Sequence, residues 1–277
     1  MNQEMSIVFI GFDGYSDVWD DCMNLFQHFW KNCPYPIFFV NNIKDVVYKN
    51  VKVLHAGSDA EWSKKVQLAL DEIDTPYVCL LLEDFLIGSN IDSNLVQSTL
   101  SFIKENNIRY YKIVNNNRPV KNKDANYKGI KYLHEVPGND EYGVSLQAAI
   151  WKKDYLEELL GTENYNAWTF EFNRVKEAAG KTKKPLSGIV VDDRNILNIK
   201  HGIMQSMYLP FTVKYFKKLG INLNIQRKIM SYPQYFRYWF IATGKELLPK
   251  SCRQVIKKIL ERFGMTFVST IRDKELK

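Results

Sequence analysis

Cysteine is scarce in this chain, and its few examples are badly placed for metal or disulfide chemistry. Cys22, Cys33, Cys79 and Cys252 form no CxxC pair and have no histidine nearby at zinc spacing. A zinc module and a disulfide framework are both excluded, and reduced packing cysteines in a cytosolic protein are expected. No apolar run approaches the roughly 20 residues that a membrane-spanning helix needs. Internal repeats and low-complexity tracts are absent, and nine prolines and fourteen glycines leave no room for a long disordered tract. The opening stretch, MNQEMSIVFIGFDG, carries Glu4 and no basic segment, so it is expected to be a first strand and not a signal peptide. No glycine-rich phosphate loop follows it, since GFDGYSD fits that pattern poorly. No motif for RNA or DNA binding occurs, so nucleic acid is not an expected partner.

What remains is ordinary globular material. The chain has 277 residues, 45% hydrophobic and 25% charged, enough for one large domain with or without an appendage. The net charge of +7 is unevenly spread. From His201 to Lys277 there are fifteen Lys or Arg against four Asp or Glu, a net +11, so residues 1–200 carry −4. The basic end implies an anionic partner for that end alone.

Strand and helix patterns alternate. SIVFIGF, YPIFFVNN, VKVLHAG and TPYVCLLLED read as strands, with Pro76 opening the last. Val18, Cys22, Leu25 and Phe29 mark a helix over 17–31. Ser58 and Glu61 suggest a capping box for a helix whose buried stripe is Trp62, Val66, Ala69 and Ile73. A helix over 92–105, a strand RYYKIV, loops or a hairpin over 115–142, a strand VSLQAAIW and a helix KKDYLEELL follow. The next helix, 168–179, should bury Trp168, Phe172, Val175 and Ala179, and SGIVVDD and ILNIKHG finish the compact part. The pattern predicts an α/β fold whose mostly parallel sheet is covered on both faces. Ligands of such sheets bind beyond the carboxyl ends of the strands. Polar residues gather at those ends: Asp13, then Asn41 and Asn42, then Glu83 and Asp84.

The segment LLLEDF makes the sharpest demand. Two adjacent carboxylates ending a buried run need water, a cation or a partner. Paired acids are oxygen ligands suited to Mg²⁺ or Mn²⁺, which would neutralise a diphosphate. A helix cap or a lysine partner is the plainer alternative.

The first strand ending in Asp13, the helix with Trp62 and Lys65, and YVCLLLEDF together resemble GT-A glycosyltransferases, more narrowly bacterial enzymes of capsule and surface polysaccharide assembly. The resemblance covers roughly residues 6–202. It implies a Rossmann-like, mixed but mostly parallel sheet flanked by helices over 1–203, with a nucleotide-sugar half over about 1–90 and an acceptor half over about 91–203. A basic, aromatic helical extension would occupy 204–277. Phe12, Asp13, Asn41, Lys65, Glu83 and Asp84 would then hold the nucleotide-sugar, with Asp13 at the base or ribose and Lys65 at the diphosphate. Asp84 and His201 would ligate Mn²⁺ or Mg²⁺. The triplet Glu83-Asp84-Phe85 lacks the second Asp of the family's DxD pattern. Glu171 would be the general base of an inverting reaction, with Glu163 as fallback, and Gln147, Ser145 and Trp168 would line the acceptor site. Asp13 also has a turn reading in FDGYS, Glu171 a helix-dipole reading, and His201 a plain turn reading. Asp192 and Asp193 are expected to be a solvated loop or a cap, and a reserve metal site.

The resemblance further implies a UDP-sugar donor and a glycan or polyprenyl-diphosphate-linked acceptor. In the basic end, Val255, Ile256, Ile259, Leu260 and Phe263 share one helix face over about 250–263, opposite Lys257, Lys258 and Arg262. With YFRYWFIATGK beside it, this suits an anionic membrane surface, so a cytoplasmic protein peripheral on the inner face of the membrane is expected. Covering of the domain or of a partner is the rival use of that face. A nucleotidyltransferase and a non-catalytic sugar- or membrane-binding protein on the same scaffold are the rival functions.

Overall fold

The computed structural model describes residues 4–114, 126–140, 143–180 and 186–247, the last seven of these as helix backbone. The helix expected near 250–263 lies outside the described residues. Chain contacts divide the protein into two units, Met1–Ile229 and Met230–Lys277.

The first unit is built on strands β1 (Met5–Ile10), β2 (Ile37–Asn41), β3 (Val51–His55) and β4 (Tyr77–Leu82), with helix α1 (Ser16–Phe29) after β1 and α2 (Trp62–Glu72) before β4. A short β5 (Phe85–Ile87) leaves the sheet, followed by α3 (Ser93–Glu105), β6 (Tyr110–Lys112), β7 (Leu133–Glu135), β8 (Ala149–Lys152), α4 (Lys153–Leu160), α5 (Ala167–Ala178) and β9 (Ile189–Asp192). Strands β10 (Ile199–His201), β11 (Ile203–Met204) and β12 (Met207–Tyr208) and helix α6 (Pro210–Lys218) complete it. The described part of the second unit holds helix α7 (Tyr232–Leu247).

The central sheet has eight strands in the order β3-β2-β1-β4-β8-β6-β9-β7. β3, β2, β1 and β4 are mutually parallel, β8 is antiparallel to both β4 and β6, and β7 is antiparallel to β9. This is the expected α/β class, a mixed and mostly parallel Rossmann-like sheet flanked by helices. Strand alternation explains why both faces are apolar. Ile7 and Phe9 of β1 join a core under α1 and α3, whereas Val8 and Ile10 join a second core under α2, α4 and α5. Trp19, Phe26 and Phe39 are fully buried in the first core; Trp19 meets Phe39 edge to face at 5.0 Å, and Phe26 meets Phe9 at 5.1 Å. Each such ring contributes about 2–3 kcal/mol by burial alone.

Three local expectations need correcting. Helix α2 begins at Trp62, and Ser58 does not cap it: the Ser58 hydroxyl donates to Asp59, and the N-cap residue is Glu61, whose amide donates to the Asn164 side chain. Helix α5 buries Phe170, Arg174 and Ala178, not the stripe through Trp168, whose side chain is 65% exposed. Phe170 is drawn in by Trp62 at 4.9 Å, and the Arg174 guanidinium follows by donating to the Leu159 carbonyl. The strand expected from Val144 begins only at Ala149. Upstream, side chains take backbone groups that a strand ladder would use: the Ser145 carbonyl accepts from the Tyr110 hydroxyl, and the Leu146 amide donates to Glu171.

Asp192 is also unlike the solvated loop expected of it. It ends β9, is fully buried, and accepts from the Tyr111 hydroxyl at 2.7 Å and from two guanidinium nitrogens of Arg194. Asp193 pairs with His134 at 2.7 Å. Arg194→Met would leave a buried carboxylate without its counter-charge. It should lower unfolding free energy by about 3 kcal/mol, against about 1 kcal/mol for Tyr111→Phe, as read by urea denaturation of the two variants.

Candidate functional site

The chain path explains where a ligand can sit. From β1 the chain runs to β2 on one side, whereas β4 lies on the other, so the crevice at the carboxyl ends of β1 and β4 is the point where strand order reverses. Glu83 and Asp84 are the two turn residues between β4 and β5, at that crevice. β1 ends beside them, Ile10 pairing with Leu82.

Both acids are half-buried. Burial, with Asp84 alongside, pushes the Glu83 carboxyl up to about 8. Burial pushes Asp84 up to about 6. The opposing influences come from a few fixed donors. The Phe12 amide and the charge of Lys65 favour ionised Glu83, and the Ile203 amide favours ionised Asp84. Lys65 is itself buried, donates to the Gly11 carbonyl at 3.0 Å and lies 5.3 Å from the Phe12 ring centre. Burial lowers its pKa, while Glu83, Asp13 and Glu61 resist that shift. The Phe12 ring is 53% exposed at the mouth of this cluster.

His201 enters from β10. It pairs with Phe85, its ring meets that phenyl edge to face at 5.1 Å, and the following Gly202 amide donates to the Asp84 carbonyl at 2.8 Å. A Cβ on Gly202 would come within 3.1 Å of that carbonyl oxygen, so glycine permits the approach. Burial, with the charge of Lys112, pushes the imidazole down to about 4. The ring is therefore neutral near pH 7, as a metal ligand must be.

Among the described residues no three His, Cys, Asp or Glu side chains converge on a metal site. The donor chemistry nevertheless fits one kind of cation. Two oxygen-bearing acids, held close and mutually repelling, suit a hard divalent ion that takes its other ligands from a diphosphate and water. Glu83 and Asp84 would hold it.

Phe12, Lys65, Glu83 and Asp84 thus come together, with the His201 backbone alongside. Asp13 and Asn41 are engaged in shaping the rim. The Asp13 carboxylate accepts the backbone amides of Asn42, Ile43 and Lys44 at 2.9–3.1 Å. Asn41 donates to the Lys44 carbonyl and bonds His55. On the acceptor side, the Glu171 Oε1 accepts the Leu146 amide at 3.0 Å. Leu146 and Glu83 each stand three residues beyond the last β4–β8 pair, Leu80 with Ala149, at the same end of the ladder. Ser145 is buried and its hydroxyl finds no partner among the described residues, Gln147 is half-buried, and Glu163 is exposed. Sequence reading missed the Ile203 amide and Lys112, and it named Asn42 only among the polar residues at the strand ends. Backbone donors leave no trace in a sequence. Lys112 has one in RYYKIV, a lysine inside a strand, and it is buried at the end of β6. Asn42 stands beside Asn41, and its side-chain amide donates to the Gly57 and Ala60 carbonyls.

Comparison with known proteins adds similarities of chain path only. No family model and no curated protein matches. Among solved structures, S. aureus TarS 1-349 is similar with a TM-score of 0.44 and 14% identity, covering 69% of this chain and 60% of that one. The chain therefore spans less than two thirds of that relative. TarS 1-349 in complex with UDP-GlcNAc gives a TM-score of 0.43 and 14% identity, covering 62% of this chain and 53% of that one. A cytidylyltransferase from Leptospira borgpetersenii serovar Hardjo-bovis gives 0.42 and 12%, covering 83% and 100%.

The three amides on Asp13 make it the anchor of the rim. Asp13→Ala should cost about 3 kcal/mol, since hydrogen bonds to a charged group are worth about 1.5–3 kcal/mol each and do not add fully. Urea denaturation checks this.

Proposed function

We propose that this protein is an inverting GT-A glycosyltransferase that moves a sugar from a nucleotide-sugar, a UDP-sugar in our reading, to a glycan or lipid-linked glycan in surface polysaccharide assembly. The observation that carries the reading is the acid pair Glu83–Asp84 at the strand-order reversal, faced by buried Lys65 and rimmed by the Phe12 ring. Charges so arranged favour a diphosphate with its counter-cation more than any neutral ligand.

In this reading Lys65 meets the departing diphosphate as a point charge, which is electrostatic stabilisation of the leaving group. A divalent cation held by Glu83 and Asp84, with His201 as a further candidate ligand, would neutralise the same developing charge as a Lewis acid. Glu171 takes the proton of the acceptor hydroxyl as that oxygen attacks the anomeric carbon from the face opposite the diphosphate, which inverts the centre. The Leu146 amide fixes the Oε1 oxygen of Glu171, and the other oxygen would take the proton. Exposed Trp168, one helical turn before Glu171, offers a face for an acceptor sugar ring.

We place the basic end at an anionic membrane surface. In α7, Tyr232, Tyr235, Phe236, Trp239 and Phe240 recur at helical spacing along one face, and Phe236, Trp239 and Phe240 are more than half exposed, with Arg237 among them. Trp and Tyr favour the water–lipid boundary, and cations favour anionic headgroups. No described helix is long and apolar enough to cross a membrane.

A panel of nucleotide-sugars assayed with Mn²⁺, Mg²⁺ or EDTA tests the catalytic reading. UDP release is expected, suppressed by EDTA and abolished by Asp84→Ala. Glu171→Gln should lower kcat for transfer by about 10²–10⁴-fold with UDP affinity retained. No release from any donor, or pyrophosphate release from a nucleoside triphosphate and a sugar phosphate, would overturn it. For the membrane reading, the full chain should sediment with phosphatidylglycerol vesicles and not with phosphatidylcholine alone. The pair Trp239→Ser and Phe240→Ser should weaken that binding by about tenfold or more.

A further inference from the structure

The chain after α6 turns back across α1, and its contacts there are unusually specific. Arg227 grips Asp17 through two nitrogens, Nε to Oδ2 at 2.7 Å and Nη2 to Oδ1 at 2.6 Å, with both side chains largely buried. The same Nη2 donates to the Gly14 carbonyl at 2.7 Å, and the guanidinium lies 3.9 Å from the Tyr15 ring centre. A little upstream, the Asn224 amide donates to both oxygens of Asp21. Leu223 and Ile225 pack on a separate small core of Val18, Ile203 and Tyr208. The Tyr208 amide donates to the Lys228 carbonyl, and the Tyr15 hydroxyl bonds the Ser206 hydroxyl.

These contacts bear on the acid pair from two sides. Gly14 and Tyr15 belong to the turn that carries Phe12, whose amide faces Glu83. A Cβ on Gly14 would stand 2.5 Å from the Phe12 ring, so that turn is tightly folded on Phe12. Ile203, whose amide faces Asp84, opens the β11–β12 hairpin that the strap also holds. Beside the acids' own backbone amides, the two amides that face them from elsewhere, Phe12 and Ile203, therefore belong to pieces of chain that one strap fastens to α1.

We propose that Leu219–Ile229 is a positioning strap. Through Arg227 it fixes the Phe12 turn, and through Leu223, Ile225 and the Lys228 carbonyl the Ile203 hairpin, around Glu83 and Asp84, and so sets the affinity for the nucleotide diphosphate. The affinity clause rests on the nucleotide-sugar reading above; the positioning clause does not. Arg227 touches neither acid and acts through Gly14, Asp17 and Tyr15. The forked grip and the ring stacking are properties of arginine that lysine lacks.

The test uses the full chain and UDP with Mn²⁺ in isothermal titration, together with amide hydrogen exchange. Arg227→Met should raise the UDP Kd about tenfold, the equivalent of one lost charge-assisted hydrogen bond. Arg227→Lys should fall between it and the wild type. Thr75→Val is the control, because its hydroxyl bonds Ser6 and the Tyr77 carbonyl at the amino ends of β1 and β4. It should lower Tm and leave Kd unchanged. Without any nucleotide, exchange at the Phe12 and Ile203 amides should rise in Arg227→Met and not in Thr75→Val. Wild-type binding with an unchanged Kd in Arg227→Met would overturn the affinity clause. Unchanged exchange at both amides would overturn the strap itself. Failure of the wild type to bind UDP would sink the nucleotide reading and the affinity clause with it, and the exchange result would still decide the positioning clause.

Discussion

Two carboxylates cannot share a strand end, largely out of water, unless something answers their charge. That constraint organises the crevice of this protein. Glu83 and Asp84 follow directly on one another, and both resist ionisation because water is scarce around them. The surroundings answer in part. Lys65 lies buried beside the end of β1, and the amides of Phe12 and Ile203 point at the acids. Each donor comes from a different segment: α2, the turn after β1, and the β11–β12 hairpin. The acid pair therefore makes the positions of three separate pieces of chain interdependent.

Topology decides why this happens here. A parallel sheet opens a crevice where successive connections depart to opposite sides, and β1 and β4 are the strands that flank it. β8 then runs antiparallel to β4, so the chain preceding β8 returns to the same end of the sheet as the acids. Glu171 is tied to that returning chain through Leu146. The fold thus sets a charge-rich floor and a separately held carboxylate at one end of the sheet. Carboxylates in different surroundings can take different roles. In the proposed reading the close pair would hold a cation and phosphate, and the single acid, fixed by one amide, would take the proton.

Parts of this are legible in the sequence for clear physical reasons. LLLEDF announces a strand end because apolar strands do not otherwise terminate in adjacent acids. Trp62, Val66 and Ala69 announce a buried helix face, which sets Lys65 in the same helix. Asp13 and Asn41 look equally like ligand contacts, but their side chains answer backbone groups of the loop after β2. That demand depends on the path of the loop and is silent in residue types. In α5 the apolar pattern points to Trp168, yet Phe170 and Arg174 are the buried residues, because stacking on Trp62 and the Leu159 carbonyl outweighs simple periodicity. Arg227 and Asp17 are 210 residues apart, and no local pattern links them.

The long-range grip has a consequence for how the site responds to strain. The hydrogen bond from Arg227 holds the Asp17 carboxyl below its ordinary value, so the stability the pair contributes is present at neutral pH and is lost as pH falls through that lowered value. The same pair is mostly enclosed, so salt screens it less than it would a surface pair. The acid pair is different: burial holds both carboxyls above their ordinary range, and in the proposed reading a bound cation would complete the balance. A rigid, salt-tolerant fastening therefore encloses a floor whose charge is left for a ligand to complete. In the proposed reading, that division suits a site that would keep its shape while its occupant, and the charge that occupant brings, changes from substrate to product.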